Sequence, residues 1–212
     1  MNTYDMRLKS GTTITVAGPS QSGKSTLVEK IVKLRDEIFT EKITKVIWYC
    51  SYMPTNKIDG VTYLVGLPND INDRIIPNCL VILDDLMHEL SKSNMLTTLM
   101  TKAVHHLPMT LIYITLNIFQ KSVDTKTRRL NTNYLFLFKN PQDKTQIDYL
   151  GRQMYPQDKN FLSLAFEDAT KYPFSYLLID SNQETPDEVR VRTNIVKESV
   201  MKVYVPFSIN NI

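Results

Sequence analysis

Gly18, Pro19, Ser20, Gln21, Ser22, Gly23, Lys24 and Ser25 form the pattern G-x-x-x-x-G-K-[ST]. Each fixed position in that spacing has a chemical reason. Gly18 and Gly23 let the backbone curl so that successive N–H groups converge on phosphate oxygens. A helix starting here would add the partial positive charge of its first turn, with Thr26 inside that turn. Lys24 would then reach the β- and γ-phosphates of a nucleotide, and the Ser25 hydroxyl would ligate Mg²⁺. About sixty residues later, Leu80-Val81-Ile82-Leu83 is followed by Asp84 and Asp85. Four apolar residues ending in two acids suit a buried strand that delivers carboxylates to a ligand crevice. In that arrangement Asp84 would hold Mg²⁺ through water, and Asp85 would orient and deprotonate an attacking water. Alone, the second pattern is equally an acidic turn after a core strand; the phosphate-binding pattern upstream favours the catalytic assignment.

A third polar group comes from the run Thr110–Asn117, apolar until its end. If that strand lies between the strand of the phosphate-binding loop and the acidic strand, Asn117 at its tip touches the γ-phosphate or the water. Thr115 is the reserve for that role, and helix capping of the residues after Asn117 is an equal alternative. Between Lys121 and Lys144 six basic residues face two acidic ones. This clustering fits a solvated loop, a phosphate backbone, or the nucleotide of a neighbouring subunit reached by Arg128 or Arg129 as an arginine finger. Arg190 and Arg192 alternate and suit either DNA contact or ion pairing with Asp187 or Glu188.

These groups need elements to hold them. The β-branched run Thr12–Ala17 predicts a strand, and Leu27, Ile31, Leu34 and Ile38 predict a helix from Lys24 to Ile38. Further strands are expected at Lys45–Cys50, Val61–Val65, Cys79–Leu83, Met109–Leu116, Tyr134–Phe138 and Tyr176–Ile179. Helices are expected at Asn69–Arg74, Leu86–His106, Thr145–Met154 and Lys159–Thr170. The alternation predicts an α/β fold, a mostly parallel central sheet flanked by helices. Residues 1–212 are expected to make one domain. Residues 181–212 would be a C-terminal appendage or edge strands, at Val189–Val196 and Val200–Val205.

Composition narrows the class. The chain has 212 residues, 42% apolar, with net charge +3, which permits nucleic acid without demanding it. Cys50 and Cys79 are far apart and predict free thiols in a reducing compartment. His88, His105 and His106 lack companions at zinc-ligand spacing. The first eleven residues have no apolar core of the signal-peptide type, and no apolar run is long enough to span a bilayer.

Taken together, these residues resemble the genome-packaging ATPases of double-stranded DNA viruses in the FtsK–HerA superfamily. The versions in polintons, adintoviruses and virophages are most alike, and the poxvirus packaging ATPase is more distant. The resemblance rests on Gly18–Ser25 and Leu83-Asp84-Asp85-Leu86, then Thr115–Phe119, Leu130-Asn131, Leu137–Asp143, Tyr176–Asp180 and Thr185–Thr193. It implies a RecA-like ASCE core, ATP with Mg²⁺, and a homo-oligomeric ring, pentamer or hexamer. It also implies translocation of double-stranded DNA into a viral capsid, inside the cell at the site of virus assembly, with virion association an option. Two departures stand out. Relatives often carry Gln-Asn where this chain has Leu116-Asn117, and the arginine they place before Leu130-Asn131 falls near Lys126. A related DNA-transfer or helicase-like P-loop ATPase, and a domesticated nucleotide-binding remnant, are the competing expectations.

Overall fold

The structure is a computed structural model. It describes residues 4–67, 76–86, 90, 95–100, 109–118, 130–143, 145–196 and 200–207. The expected helix Asn69–Arg74, most of Leu86–His106, the three histidines and Lys121–Arg129 lie outside the described residues.

Among the described residues nine strands form one sheet: β1 (Thr13–Ala17), β2 (Lys45–Cys50), β3 (Val61–Val65), β4 (Cys79–Asp84), β5 (Met109–Thr115), β6 (Tyr134–Phe138), β7 (Tyr176–Asp180), β8 (Val191–Thr193) and β9 (Lys202–Tyr204). Their order is β3-β2-β4-β5-β1-β6-β7-β8-β9. The first six pair in parallel, and β7, β8 and β9 add on antiparallel. β1, β4, β5 and β6 are near-continuous apolar or β-branched runs because both their faces are covered. The placement that the Asn117 assignment requires is met: β5 lies between β1 and β4, with Thr115 beside Ala17 and Leu83 beside Tyr113.

One face carries α1 (Lys24–Lys33), α2 (Arg35–Ile38) and the N-terminal segment. Leu27, Val28, Ile31 and Val32 of α1 are buried against Ile14, Val16, Phe136 and Tyr176. The expected single helix to Ile38 is interrupted at Leu34, which leaves helical geometry at φ −102° and ψ 19°. The break turns Ile38 and Phe39 inward, and Leu8 bridges to Phe39, all three buried. Packing of the N-terminal segment thus overrides helical periodicity.

The opposite face holds two separate apolar clusters. Ile47, Tyr49, Val81, Leu83, Leu111 and Tyr113 pack with Leu86, Leu90, Leu99 and α3 (Met95–Thr98, whose Leu96 is buried). Leu135, Leu137, Leu177 and Ile179 pack with α4 (Thr145–Met154) and α5 (Phe161–Ala169). α5 is shorter at both ends than the expected Lys159–Thr170. Between the clusters, β1 presents Thr13 and Thr15, and Thr15 Oγ1 lies 2.9 Å from Thr132 Oγ1.

The C-terminal strands are held by ions. Arg192 on β8 donates from Nη2 to Asp180 Oδ2 at 2.7 Å, and both side chains are essentially inaccessible. Arg190 donates to the carbonyls of Asp180, Asn182 and Thr185 and pairs with Asp187 at 3.0 Å. The DNA-contact expectation for Arg192 is therefore corrected. Its guanidinium is enclosed, and its partner is Asp180, not Asp187 or Glu188. Tyr4 bonds Thr185 and Lys9 pairs with Glu184, which ties the N-terminal segment to the same corner. Cys50 and Cys79 are buried free thiols. No helix among the described residues is long and apolar enough to cross a membrane.

Candidate nucleotide site

The loop after β1 curls because two of its residues take left-handed backbone angles, Gln21 at φ 62° and Gly23 at φ 100°. Close packing adds a second constraint. A Cβ on Gly18 would sit 2.6 Å from Phe138 Cβ, and one on Gly23 would sit 3.2 Å from Phe174. Both glycines are thus pressed by phenylalanine side chains, and Gly23 is bent as well. Gly23 O then accepts from Leu27 N at 2.9 Å, which starts α1, so Lys24, Ser25 and Thr26 occupy its first turn. Gly18 N donates to Thr115 O at 3.2 Å, so the tip of β5 abuts the entry to the loop.

Lys24 Nζ donates to Gly18 O and Pro19 O, each at 2.8 Å, and its ammonium lies across the loop. Burial pushes its pKa down, against the pull of Asp84 and Asp85. Asp84 ends β4 beside Cys50. Burial raises its carboxyl above the ordinary range, partly offset by hydrogen bonds from Ser25 and the Trp48 side chain. Ser25 Oγ donates to Asp84 at 3.2 Å (Oδ2) and 3.4 Å (Oδ1). Two hard oxygen ligands facing each other, one a carboxylate costly to keep charged when alone, fit a Mg²⁺ ion completed by water and phosphate oxygens. Among the described residues no three or more His, Cys, Asp or Glu side chains gather, so a cage made only of protein ligands is not offered. Ser22 Oγ is buried without a hydrogen-bond partner inside the same loop.

Asp85 is separated from Asp84 by a change of backbone hand, at φ 54°. Alternation along β4 stops there, and Asp85 is exposed while Asp84 is turned toward Ser25. Ser51 Oγ, beyond the end of β2, donates to the Asp85 carbonyl. Asn117 is half-buried at the tip of β5, and its carbonyl accepts from Thr115 Oγ1 at 3.3 Å. Thr115 itself is buried.

Lys24, Ser25 and Asp84 therefore come together, with Asp85 and Asn117 at neighbouring strand ends. Arg128 and Arg129 lie outside the described residues. Sequence reasoning missed Trp48, Ser51, Phe138 and Phe174 as supports. The only tryptophan, two residues before the end of a strand, was the available hint for Trp48. No sequence signal pointed to Ser51.

No protein-family model matches the chain, and no curated protein matches it. Among solved structures it is similar to the genome packaging NTPase B204 from Sulfolobus turreted icosahedral virus 2 in complex with ATP-gammaS. Identity is 12%, covering 93% of this chain and 98% of that one, with a TM-score of 0.50. The complex of the same protein with AMPPCP aligns at a TM-score of 0.52, 12% identity, and 92% and 98% coverage. At that identity the likeness is one of fold. The chain has the α/β fold of P-loop NTPases, with a large, mostly parallel sheet and flanking helices.

Proposed function

We propose that the chain is an ATP-hydrolysing motor of the genome-packaging class, which drives double-stranded DNA into a viral capsid as one subunit of a homo-oligomeric ring. The observation that carries this is the meeting of Lys24, Ser25 and Asp84 beside the β5 tip, on a fold shared with a viral genome packaging NTPase. The matching proteins hold ATP analogues, which supports ATP as the ligand here.

In this reading Lys24 leaves its loop carbonyls for the β- and γ-phosphates, where negative charge develops during transfer. Ser25 and Asp84 hold Mg²⁺, which would screen the phosphate charge. Asp85 accepts a proton from the attacking water, and Asn117 contacts the terminal phosphate or that water. Arg128 or Arg129 completes the site of a neighbouring subunit. Work is done inside the infected cell at the site of virus assembly.

Purified protein is expected to hydrolyse ATP in a DNA-stimulated, Mg²⁺-dependent manner and to associate with empty capsids. Mixing Lys24→Ala subunits with Arg128→Ala/Arg129→Ala subunits is expected to restore part of the activity. Turnover without DNA stimulation or capsid association would leave a P-loop ATPase and remove the packaging role. Failure of the mixture, with normal basal turnover in the arginine variant, would remove the trans-acting finger.

A further inference from the structure

Asp84 and Asp85 are adjacent, yet the site asks different things of them, so their side chains must part. Along β4, Leu83 packs with Leu86 and Tyr113, and Asp84 faces the other way, toward Ser25. One more residue of regular strand would send Asp85 back to the side of Leu83, into apolar surroundings. The backbone instead turns left-handed at Asp85, φ 54°, and the side chain is exposed. That conformation is unfavourable for a residue with a Cβ, although aspartate tolerates it better than most. It persists where neighbouring structure holds it. The Asp85 charge acts on both Lys24 and Asp84, so the turn keeps it beside the loop.

Three anchors hold the turn. Asp84 before it is bonded to Ser25, and Leu86 after it is fully buried. The third is Ser51. β2 and β4 pair with Cys50 opposite Asp84, so Ser51 stands one position further, beside Asp85. Its hydroxyl donates to the Asp85 carbonyl. A bond to that oxygen orients the planar peptide between Asp85 and Leu86, and with it the ψ angle of Asp85. Ser51 itself follows a braced strand end. Cys50 O accepts from Gly66 N at 3.0 Å, and Cys50 Sγ donates to Leu64 O at 3.6 Å. Directly after Ser51 the chain turns outward, and Tyr52 is exposed.

We propose that Ser51 is a positioning residue for ATP hydrolysis: its hydroxyl holds the peptide after Asp85, so that the Asp85 carboxylate projects beside the nucleotide loop and does not follow Leu83 to the apolar face. The inference rests on the assignment of Asp85 as the base and deepens it. Ser51 touches neither nucleotide nor water in this role, and the proton still goes to Asp85. The bond lies at the surface, where a single hydrogen bond adds little to folding. Its effect belongs in rate, because a base acts only within hydrogen-bond reach of the proton it takes. A carboxylate free to swing away from the water loses that reach while the loop, Ser25 and Asp84 still bind the nucleotide and its metal.

Four variants of the full chain test this: Ser51→Ala, Ser51→Thr, Asp85→Asn and Ser51→Ala/Asp85→Asn. Each is compared with wild type for MgATP turnover, for calorimetric binding of a non-hydrolysable ATP analogue with Mg²⁺, and for Tm. Ser51→Ala is expected to lower kcat by about tenfold or more, with analogue affinity and Tm unchanged. Ser51→Thr keeps the hydroxyl and is expected to stay within about threefold of wild type. The double variant is expected to be no slower than Asp85→Asn alone, since a base that is absent cannot be misplaced. Wild-type turnover in Ser51→Ala overturns the proposal, and so does a Ser51→Thr as slow as Ser51→Ala. A loss of Tm or of analogue affinity large enough to account for the slower rate makes Ser51 a support of the fold, and the proposal fails. Independent, multiplying effects in the double variant show that Ser51 acts elsewhere, with the same result. Asp85→Asn at wild-type turnover, or a wild type that does not hydrolyse ATP, overturns the underlying assignment as well.

Discussion

Two corners of the molecule each keep an aspartate and a cation out of water, and they treat them differently. At the C-terminal corner Arg192 and Asp180 face each other at 2.7 Å, and Asp180 Oδ1 also receives the Asn182 N and Nδ2 groups. At the loop after β1, Lys24 is bonded to two carbonyls of its own loop, and Asp84 accepts from hydroxyl and indole donors while Lys24 acts on it through space. One pair is closed on itself. The other is two half-sites whose pKa values are both displaced by burial, downward for Lys24 and upward for Asp84. At the C-terminal corner opposite charges meet directly, although Arg192 Nε is buried without a hydrogen-bond partner. At the loop the charges are kept apart, and burial shifts both against their charged forms, the pattern expected of groups that await a ligand.

The largest expected effect comes from opening the closed pair. Arg192→Ala leaves a carboxylate enclosed without its cation, a loss of about 3–5 kcal/mol, or roughly 6–20 °C in Tm. Asp180→Asn/Arg192→Met should recover much of that loss, because it removes both charges. Thermal melts decide it, and an unchanged Tm for Arg192→Ala would end the contrast.

Opening the ligand-facing half should act on rate and spare the fold. Lys24→Ala is expected to lower ATP turnover by about 10²–10³-fold without lowering Tm. Asp85→Asn is expected to slow turnover strongly while MgATP still binds, since the amide keeps shape but accepts no proton. If Asp85→Asn loses binding and Asp84→Asn does not, the two aspartates have exchanged roles.

The smallest effect sharpens the contrast through pH. Because burial raises Asp84 above its ordinary 3.8, the folded chain holds that proton more tightly than the unfolded chain. Below 3.8 both states are protonated and the group is neutral to stability. As pH rises from there through the raised value, the unfolded state loses its proton first and stability falls. Asp84→Asn should therefore raise Tm at neutral pH, with the gain shrinking as pH falls toward 3.8 and vanishing below it. A destabilised Asp84→Asn would show that its bonds to Ser25 and Trp48 outweigh burial.

The parallel half was legible in the sequence and the antiparallel corner much less so. Lys45–Cys50 and Tyr134–Phe138 fall where the expected strands lie, because strands buried on both faces are unbroken apolar runs, and the edge strand Val61–Val65 was marked by its β-branched and aromatic residues. The fixed residues of the phosphate-binding loop act locally, so their spacing alone located Gly18–Ser25. β8 and β9 span three residues each and carry no periodicity of their own. Arg192 finds Asp180 only because β7 and β8 pair, and Phe174 finds Gly23 only through the same sheet. The break at Leu34 depends on Leu8, a residue far from it in sequence, and helical spacing ran on past it.

The central position of β1 sets a timetable. Its two neighbours are β5 and β6, so this strand, once it has left the ribosome, must wait for residues as late as Leu137. At ordinary rates of synthesis the roughly 120 residues in between take about 6–24 s. During that interval Thr13–Ala17 is an apolar strand with both edges unpaired, the kind of segment that chaperones cover. Phe174, which presses on Gly23, arrives later still. The Gly18–Ser25 loop, made before the strands and ring that hold it, is thus among the last parts of the fold to take shape.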